Sequence, residues 1–271
     1  MGKNSHIEWT HHTFNPWWGC AKVSPACQHC YAETLANRFG GAIWGPKAER
    51  RFFGEAHWRE PVRWNEEAKA KRTRYRVFCA SMSDVFEDRP DLVEERTRLW
   101  RLVERTDHLD WLLLTKRPQN ARRLAPWNES WPKNIWLGAS VENQEWADKR
   151  LPLLLAVPAR IRFLSCEPLL GPLDLKAHVK RGGIHWIIAG GESGPGARPM
   201  NPEWVRVLRD FCAKQSIAFH FKQWGRWAPA NRSQLKQAQY PFERSGPGML
   251  PLGKGLSGRM LDGETHDEFP V

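Results

Sequence analysis

The sequence predicts an α/β fold, a partial parallel (β/α) barrel of six to seven strands with an irregular C-terminal extension. Three observations lead there. Seven short apolar runs, rich in β-branched and aromatic residues, recur with polar residues directly behind them, as in strands buried on both faces. Helix-like segments separate them, and from the second run onward successive runs start roughly 25 to 35 residues apart, the length of a βα unit. The chain has 271 residues, 41% hydrophobic and 26% charged. That suits one α/β barrel of roughly 200–250 residues and is short for two full domains.

Ile7-Glu8-Trp9-Thr10 is the first and weakest strand candidate. Tyr75 to Ala80 follows and leads to Ser81-Met82-Ser83-Asp84. Trp111 to Leu114 leads to Thr115-Lys116-Arg117, and Ile135 to Ala139 leads to Ser140-Val141-Glu142. Ile161 to Leu164 leads to Ser165-Cys166-Glu167, and His185 to Ala189 leads to Gly190-Gly191-Glu192. Ile217 to Phe221 leads to Lys222-Gln223-Trp224. Pro90 opens a helix whose face carries Leu92, Leu99 and Val103, with Arg96 as the polar exception. Asn143 is placed to cap a helix in which Pro152 implies a break or kink. Asn201-Pro202 is a cap and first-turn signal before Val205, Leu208 and Cys212. Residues 40–60, with Gly40-Gly41, Gly45-Pro46 and Gly54, are expected as an inserted loop. The barrel is expected over 1–227 and the extension over 228–271. Leu261-Asp262-Gly263-Glu264 carries a hairpin signal that would let the extension pack on the body.

No run of about 18 apolar residues exists, and no apolar segment of a secretory signal follows the N-terminus. With six cysteines, a cytoplasmic protein with reduced or metal-bound thiols is expected instead of a disulfide framework. The 41 basic and 30 acidic residues give a formal charge of +11, which suits a polyanionic partner or simply a soluble surface.

The sharpest local signal is Cys20-Ala-Lys-Val-Ser-Pro-Ala-Cys27-Gln-His-Cys30, a C-x6-C-x2-C triplet between the first strand candidate and a helix-like stretch. A parallel barrel places such a loop on the face where active sites are built. Three thiolates leave one coordination position to fill. An iron–sulfur cluster with one open iron fits this. Zinc with a fourth ligand from His29, His11 or His12 also fits, as do three packed cysteines. Cys79, Cys166 and Cys212 read as core residues.

Trp9-Thr10, Thr13 to Cys20 and Cys27 to Glu33 resemble the phage Gp37/Gp68 family, a domain of unknown function. The resemblance continues through Ser81 to Phe86, Leu114 to Pro118, Leu137 to Glu142, Ser165 to Leu169, Gly190 to Gly194, Lys222 to Gly225 and Gly258 to Gly263. It implies a radical S-adenosylmethionine-like partial barrel whose Cys20, Cys27 and Cys30 hold a [4Fe–4S] cluster. It also implies a three-Cys-motif partner protein and an external reductant. Two departures stand out. Such enzymes mostly carry C-x3-C-x2-C, and their Gly-Gly-Glu motif usually follows the second strand. Here Ser81-Met82-Ser83-Asp84 stands there, and Gly190-Gly191-Glu192 comes late.

On this resemblance the reduced cluster splits S-adenosylmethionine to a 5′-deoxyadenosyl radical. Ser81, Asp84, Ser140, Glu142, Glu167, Gly190, Gly191 and Glu192, at strand ends, are the candidates to hold that cofactor. Lys116, Arg117, Arg198, Lys222 and Trp224 are the candidates to receive a nucleotide or nucleic-acid substrate. The alternative from another class is a zinc-stabilised nucleic-acid-binding protein without radical chemistry.

Overall fold

The computed structural model describes residues 2–5, 7–179, 182–229 and 248–270. Seven strands lie in one sheet in sequence order: β1 (His12–Thr13), β2 (Tyr75–Cys79), β3 (Leu109–Thr115), β4 (Ile135–Ser140), β5 (Ile161–Cys166), β6 (Trp186–Gly190) and β7 (Ala218–Gln223). Neighbours pair in parallel, with His12 opposite Val77, Phe78 opposite Leu112, Leu113 opposite Leu137 and Ile188 opposite His220. This is the strand order expected of a partial (β/α) barrel.

The chain divides into two compact units. One comprises Met1–Ser24, Ala32–Ala139 and Pro152–Arg162; the other comprises Pro25–Tyr31, Ser140–Leu151 and Phe163–Val271. In the first, Phe14 sits at the centre of an aromatic core, edge-on to Trp58 at 5.3 Å and Trp111 at 5.8 Å. In the second, Trp186 packs on Phe163 at 5.8 Å and on Phe269 at 5.2 Å. Flat, rigid indoles bury much area per residue, which is where many of the sixteen tryptophans go.

The first strand is displaced from its expected place. Residues 7–10 form a turn closed by the Thr10 amide donating to the Ile7 carbonyl at 3.1 Å. Trp9 is nevertheless buried, edge-on to Phe78 at 4.6 Å, so the apolar run there records core filling and not a strand. The expected insertion is also shorter. Helix α2 (Glu55–Ala70) follows α1 (Tyr31–Arg38) and begins inside 40–60, burying Trp58, Trp64 and Ala68 on one face. In α3 (Val93–Glu104) the polar exception is explained: Arg96 is buried and donates to the Val85 and Glu87 carbonyls at 2.9 and 2.5 Å. After α4 (Ala121–Leu124), α5 (Gln144–Leu155) starts at Asn143, whose side chain accepts from the Trp146 amide at 3.2 Å. The helix continues through Pro152, one of the places where the chain passes from one unit to the other. In α6 (Pro202–Gln215), Asn201 accepts from the Glu203 amide at 2.9 Å, as a cap should.

The expected extension over 228–271 is described at 228–229 and 248–270; residues 230–247 and Val271 lie outside the described residues. Leu261 and Glu264 close the hairpin turn with reciprocal backbone hydrogen bonds of 2.8 and 3.1 Å. Asp262 and Gly263 there have φ of 53° and 88°, as the tightest hairpin turns require. The following residues run along the edge of β7: the Phe221 amide donates to His266, and Glu268 donates to the Phe219 carbonyl at 3.2 Å. An open sheet edge is thereby paired. Among the described residues no helix is long and apolar enough to cross a membrane.

His12 carries a testable consequence. It is buried against Trp64, with ring centroids 4.5 Å apart, and its Nδ1 accepts from the Asn4 amide. Burial first, and the neighbouring His11 second, push it from the ordinary 6.5 down to about 4. The unfolded chain therefore takes up a proton that the folded chain refuses. No penalty exists above pH 6.5; it grows as pH falls toward 4 and amounts to about 3 kcal/mol there. His12→Phe should flatten the decline in stability between pH 6.5 and 4, measured by urea denaturation, and leave pH 8 stability less affected.

Candidate functional site

In the first unit the backbone leading to Cys20 is fixed by the end of β2 and by the loop before α2. Gly19 has φ of +114°, and a Cβ there would stand 2.4 Å from the Ile43 carbonyl oxygen, so only glycine fits. The Gly19 amide donates to Met82 O at 3.0 Å, and the Gly45 amide to Cys20 O at 2.8 Å. Asn15 accepts from the Met82 amide at 2.7 Å and donates to Ser81 Oγ at 3.0 Å.

Asp84 lies just beyond β2 and accepts four hydrogen bonds. The Phe86 amide and Thr115 hydroxyl reach one oxygen at 3.0 and 2.7 Å; the Lys116 amide and Arg117 Nη1 reach the other, both at 3.0 Å. Arg117 Nη1 also donates to Cys20 Sγ at 3.6 Å, and Nη2 to the Ala21 carbonyl at 2.8 Å. Glu87 stands 3.8 Å from Arg117 and is itself gripped by Arg50 at 2.8 and 3.1 Å. Burial works against the charge of Arg117, but Asp84, Cys20 and Glu87 outweigh it and hold the guanidinium protonated. Burial pushes the Cys20 thiol up to about 12, with Arg117 pulling in the other direction.

In the second unit two carboxylates hold the stretch carrying Cys27. Glu142, 1% exposed, accepts from the Ala26 amide at 3.2 Å and from Arg150 at 2.9 Å. Arg150 also donates to the Ser140 carbonyl at 2.9 Å, and its guanidinium lies 4.1 Å from the Trp146 ring centroid. Glu192 accepts from the Arg198 amide and Nε, both at 2.8 Å, from its Nη2 at 2.5 Å and from His29 Nδ1 at 3.2 Å. Arg198 reaches on to the Pro25 carbonyl at 3.0 Å and the Gln28 side chain at 3.2 Å. Burial alone would raise the Glu192 carboxyl; the hydrogen bonds from Arg198 and His29 outweigh it and lower it.

Glu167 and Lys222, at the ends of β5 and β7, pair at 2.7 Å, and each side chain is 17% exposed. Gly190 and Gly191 serve the close approach of backbones here. A Cβ on Gly191 would stand 2.0 Å from the Trp224 carbonyl oxygen. Trp224 is 4% exposed, donates to the Met260 carbonyl at 2.8 Å and packs edge-on to Phe221. Its ring therefore belongs to the core, whereas the sequence suggested a stacking surface for a base. Arg117 and Arg198, expected to receive a substrate phosphate or carboxylate, direct their donors at internal carboxylates, carbonyls and a thiol. Ser81 and Ser140 are buried, and Lys116 is half-buried.

Cys20, Cys27 and Cys30 are half-buried, while Cys79, Cys166 and Cys212 are buried, with burial pushing each of these three thiols up. Among the described residues no three His, Cys, Asp or Glu side chains stand together closely enough to hold a metal ion. Residues that sequence reasoning missed are Arg50, Glu87 and Arg150, whose partners lie far along the chain or in loops without periodicity. A cavity of about 690 Å³ beside Ile184, Cys212, Ile217 and Glu268 lies at the start of β7, away from Lys222, and includes none of the expected site residues.

Removing one partner of a buried pair strands the other charge. Glu142→Ala should destabilise the chain by about 3–5 kcal/mol in urea denaturation, because Arg150 is left buried and unpaired with it. Glu55→Ala, which breaks a surface pair with Arg98, should change stability by less than about 1 kcal/mol.

No curated protein matches the chain. Among solved structures, spore photoproduct lyase complexed with dinucleoside spore photoproduct aligns with a TM-score of 0.46 at 13% identity, over 80% of this chain and 65% of that one. A double mutant of the lyase with bound AdoMet and the same dinucleoside aligns with a TM-score of 0.47 at 12% identity, again over 80% and 65%. The chain spans about 65% of the length of these lyase chains. The family described as Protein of unknown function (DUF5131) matches residues 4–270, and the chain belongs to that family.

Proposed function

We propose that the chain is a radical S-adenosylmethionine-type enzyme in which Cys20, Cys27 and Cys30 hold a [4Fe–4S] cluster. What supports this is the chemistry of the donor set: three half-buried cysteines within eleven residues, while the other three cysteines are buried. Soft thiolates favour iron–sulfur clusters, and three of them leave one iron open. The motif resemblance to the phage Gp37/Gp68 family supports the same reading. When bound, the group supplies one electron, taken from an external reductant, to the sulfonium of S-adenosylmethionine, giving methionine and a 5′-deoxyadenosyl radical that removes a hydrogen atom from substrate.

The chain's own residues have separable tasks in this reading. Glu167 and Lys222, a part-exposed pair of opposite charge, suit the ammonium and carboxylate of the cofactor's methionine moiety. Glu142 and Glu192 act through the cysteine stretch: they fix residues 25–29 by hydrogen bonds and need not touch the cofactor. The formal charge of +11 supports a nucleotide or nucleic-acid substrate.

Anaerobic reconstitution with iron and sulfide tests the reading. The wild-type chain should hold about four irons, as one [4Fe–4S] cluster requires. Alanine at Cys20, Cys27 or Cys30 should abolish loading, whereas Cys212→Ala should retain it. Stoichiometric zinc and no iron would overturn the proposal. With reductant and S-adenosylmethionine, 5′-deoxyadenosine should accumulate, and Lys222→Ala should weaken cofactor binding. Binding of a single-stranded oligonucleotide should weaken as salt rises; salt-independent binding would remove the nucleic-acid substrate from the proposal.

A further inference from the structure

We propose that Trp18, Phe39, Arg51 and Phe53 form a binding surface for single-stranded nucleic acid, with Phe39 stacking on an unpaired base and Arg51 receiving a phosphate. The surface lies within the first unit, deepens the nucleic-acid part of the proposed function and requires no metal at the cysteines. Its basis is a continuous row of rings that runs from the core to solvent. Phe14 is fully buried and stacks on His57 at 4.7 Å. His57 meets Phe53 at 4.5 Å, Phe53 meets Trp18 at 5.7 Å, and Trp18 meets Phe39 at 6.5 Å. Exposure rises along the row: Phe53 and Trp18 are half-buried, and Phe39 is 66% exposed.

The backbone sets the row out. Trp18 and Arg51 exchange amide-to-carbonyl hydrogen bonds of 2.9 Å in both directions, so two short stretches are pinned side by side. Arg51 and Phe53, two positions apart along an extended chain, share a face. Gly40, with φ of +73°, turns the chain soon after α1 and leaves Phe39 at the exposed helix end.

Two features say which partner fits. A lone exposed ring is ordinary, but this one continues a row that carries a cation. The Arg51 guanidinium stands 5.3 Å from the Trp18 ring centroid and 5.7 Å from that of Phe53, and the residue remains exposed. Neither Arg51 nor Arg38, beside Phe39 in sequence, pairs with a carboxylate among the described residues. From Ala36 to Gly54 the charged residues are Arg38, Lys47, Arg50 and Arg51 against Glu49 alone, and of these cations Arg50 is committed to Glu87. Rings accept any base, and guanidinium groups accept phosphates, so interleaving them suits an unpaired strand. A second copy of the chain would need about 800 Å² of cover on each partner around an apolar centre, and here a charge stands in the centre.

The test uses the full chain and fluorescein-labelled oligothymidylate of about 12 nucleotides, within the usual single-strand site size, followed by fluorescence anisotropy. Phe39→Ala should weaken binding about 10-fold, the loss expected for one stacked base. Phe39→Leu keeps apolar bulk without a π face and should be weakened alike, whereas Phe39→Trp should bind at least as tightly as wild type. Arg51→Gln should weaken binding and reduce the slope of log affinity against log salt by about 0.7, the share of one phosphate on a single strand. Val93→Ala, at an exposed apolar position on α3, and Lys214→Gln, at an exposed cation on α6, should match wild type. The same strand annealed to its complement should bind more weakly, because its bases are already stacked.

Wild-type affinity in Phe39→Ala or an unchanged salt slope in Arg51→Gln would overturn the inference, as would equal losses in the two controls or equal affinity for the duplex. In those cases wild type still binds the strand, so the nucleic-acid reading stands and the surface falls. If wild type binds no oligonucleotide, both fall, and iron loading decides the radical reading separately. If sedimentation shows a dimer that Phe39→Ala dissociates while oligonucleotide binding is unchanged, the surface faces a second copy and the inference is wrong. If Phe39→Ala fails to fold by circular dichroism, Phe39→Leu decides by the same criteria.

Discussion

The structure depends on pairing arginines with carboxylates where strands end. Asp84 with Arg117, Glu142 with Arg150, and Glu192 with Arg198 are each buried or nearly so on the carboxylate side. Taking such charges out of water is expensive, and well-packed apolar residues of similar volume would hold a fold as firmly. What the pairs supply is direction. Each carboxylate accepts from several donors at once, so its position is over-determined, and each passes that order to a neighbouring loop. In the first unit the order reaches Cys20 and Ala21; in the second it reaches residues 25–29.

The aromatic excess supports this arrangement from beneath. Trp58 and Trp111 around Phe14, and Trp186 against Phe163 and Phe269, place bulky rings with few rotamers under the strands. Rigid rings leave the strand ends little room to shift, so side chains just beyond them keep their spacing. The sequence carries sixteen tryptophans and a formal charge of +11. Much of the first turns out to be core, and part of the second is internal, in Arg50, Arg96, Arg117 and Arg150.

Six of the seven strands were legible because short runs rich in apolar, β-branched and aromatic residues mark them, each followed by polar residues. The first was not: Trp9 is buried by a turn, and the true strand, His12–Thr13, spans two residues without an apolar signature. Helix α2 escaped notice for a different reason. Gly54 and Pro61 punctuate its beginning, and its apolar face carries Pro61 and Asn65 between Trp58, Trp64 and Ala68. At the site, the cysteine stretch was visible because its signal is local. The roles of the carboxylates were not, because their partners are remote: Ala26 and Glu142 are 116 positions apart. A polar residue after a strand announces a loop. Only the folded chain reveals whether it waits for a ligand or already holds its own backbone.

Gly191 shows how far that distinction reaches. The Trp224 carbonyl occupies the space where any side chain at Gly191 would begin, so a glycine is demanded there whatever the protein binds. The Gly190-Gly191-Glu192 stretch thus has two internal reasons to persist: tight contact with the chain after β7, and the carboxylate that fastens His29 and Arg198. Among natural relatives, invariance of these residues would be a record of architecture and would not by itself distinguish an enzyme from a relative that had lost its chemistry. Glu167 and Lys222, each 17% exposed, are held less tightly by packing, so variation there would say more than invariance at Gly191 does.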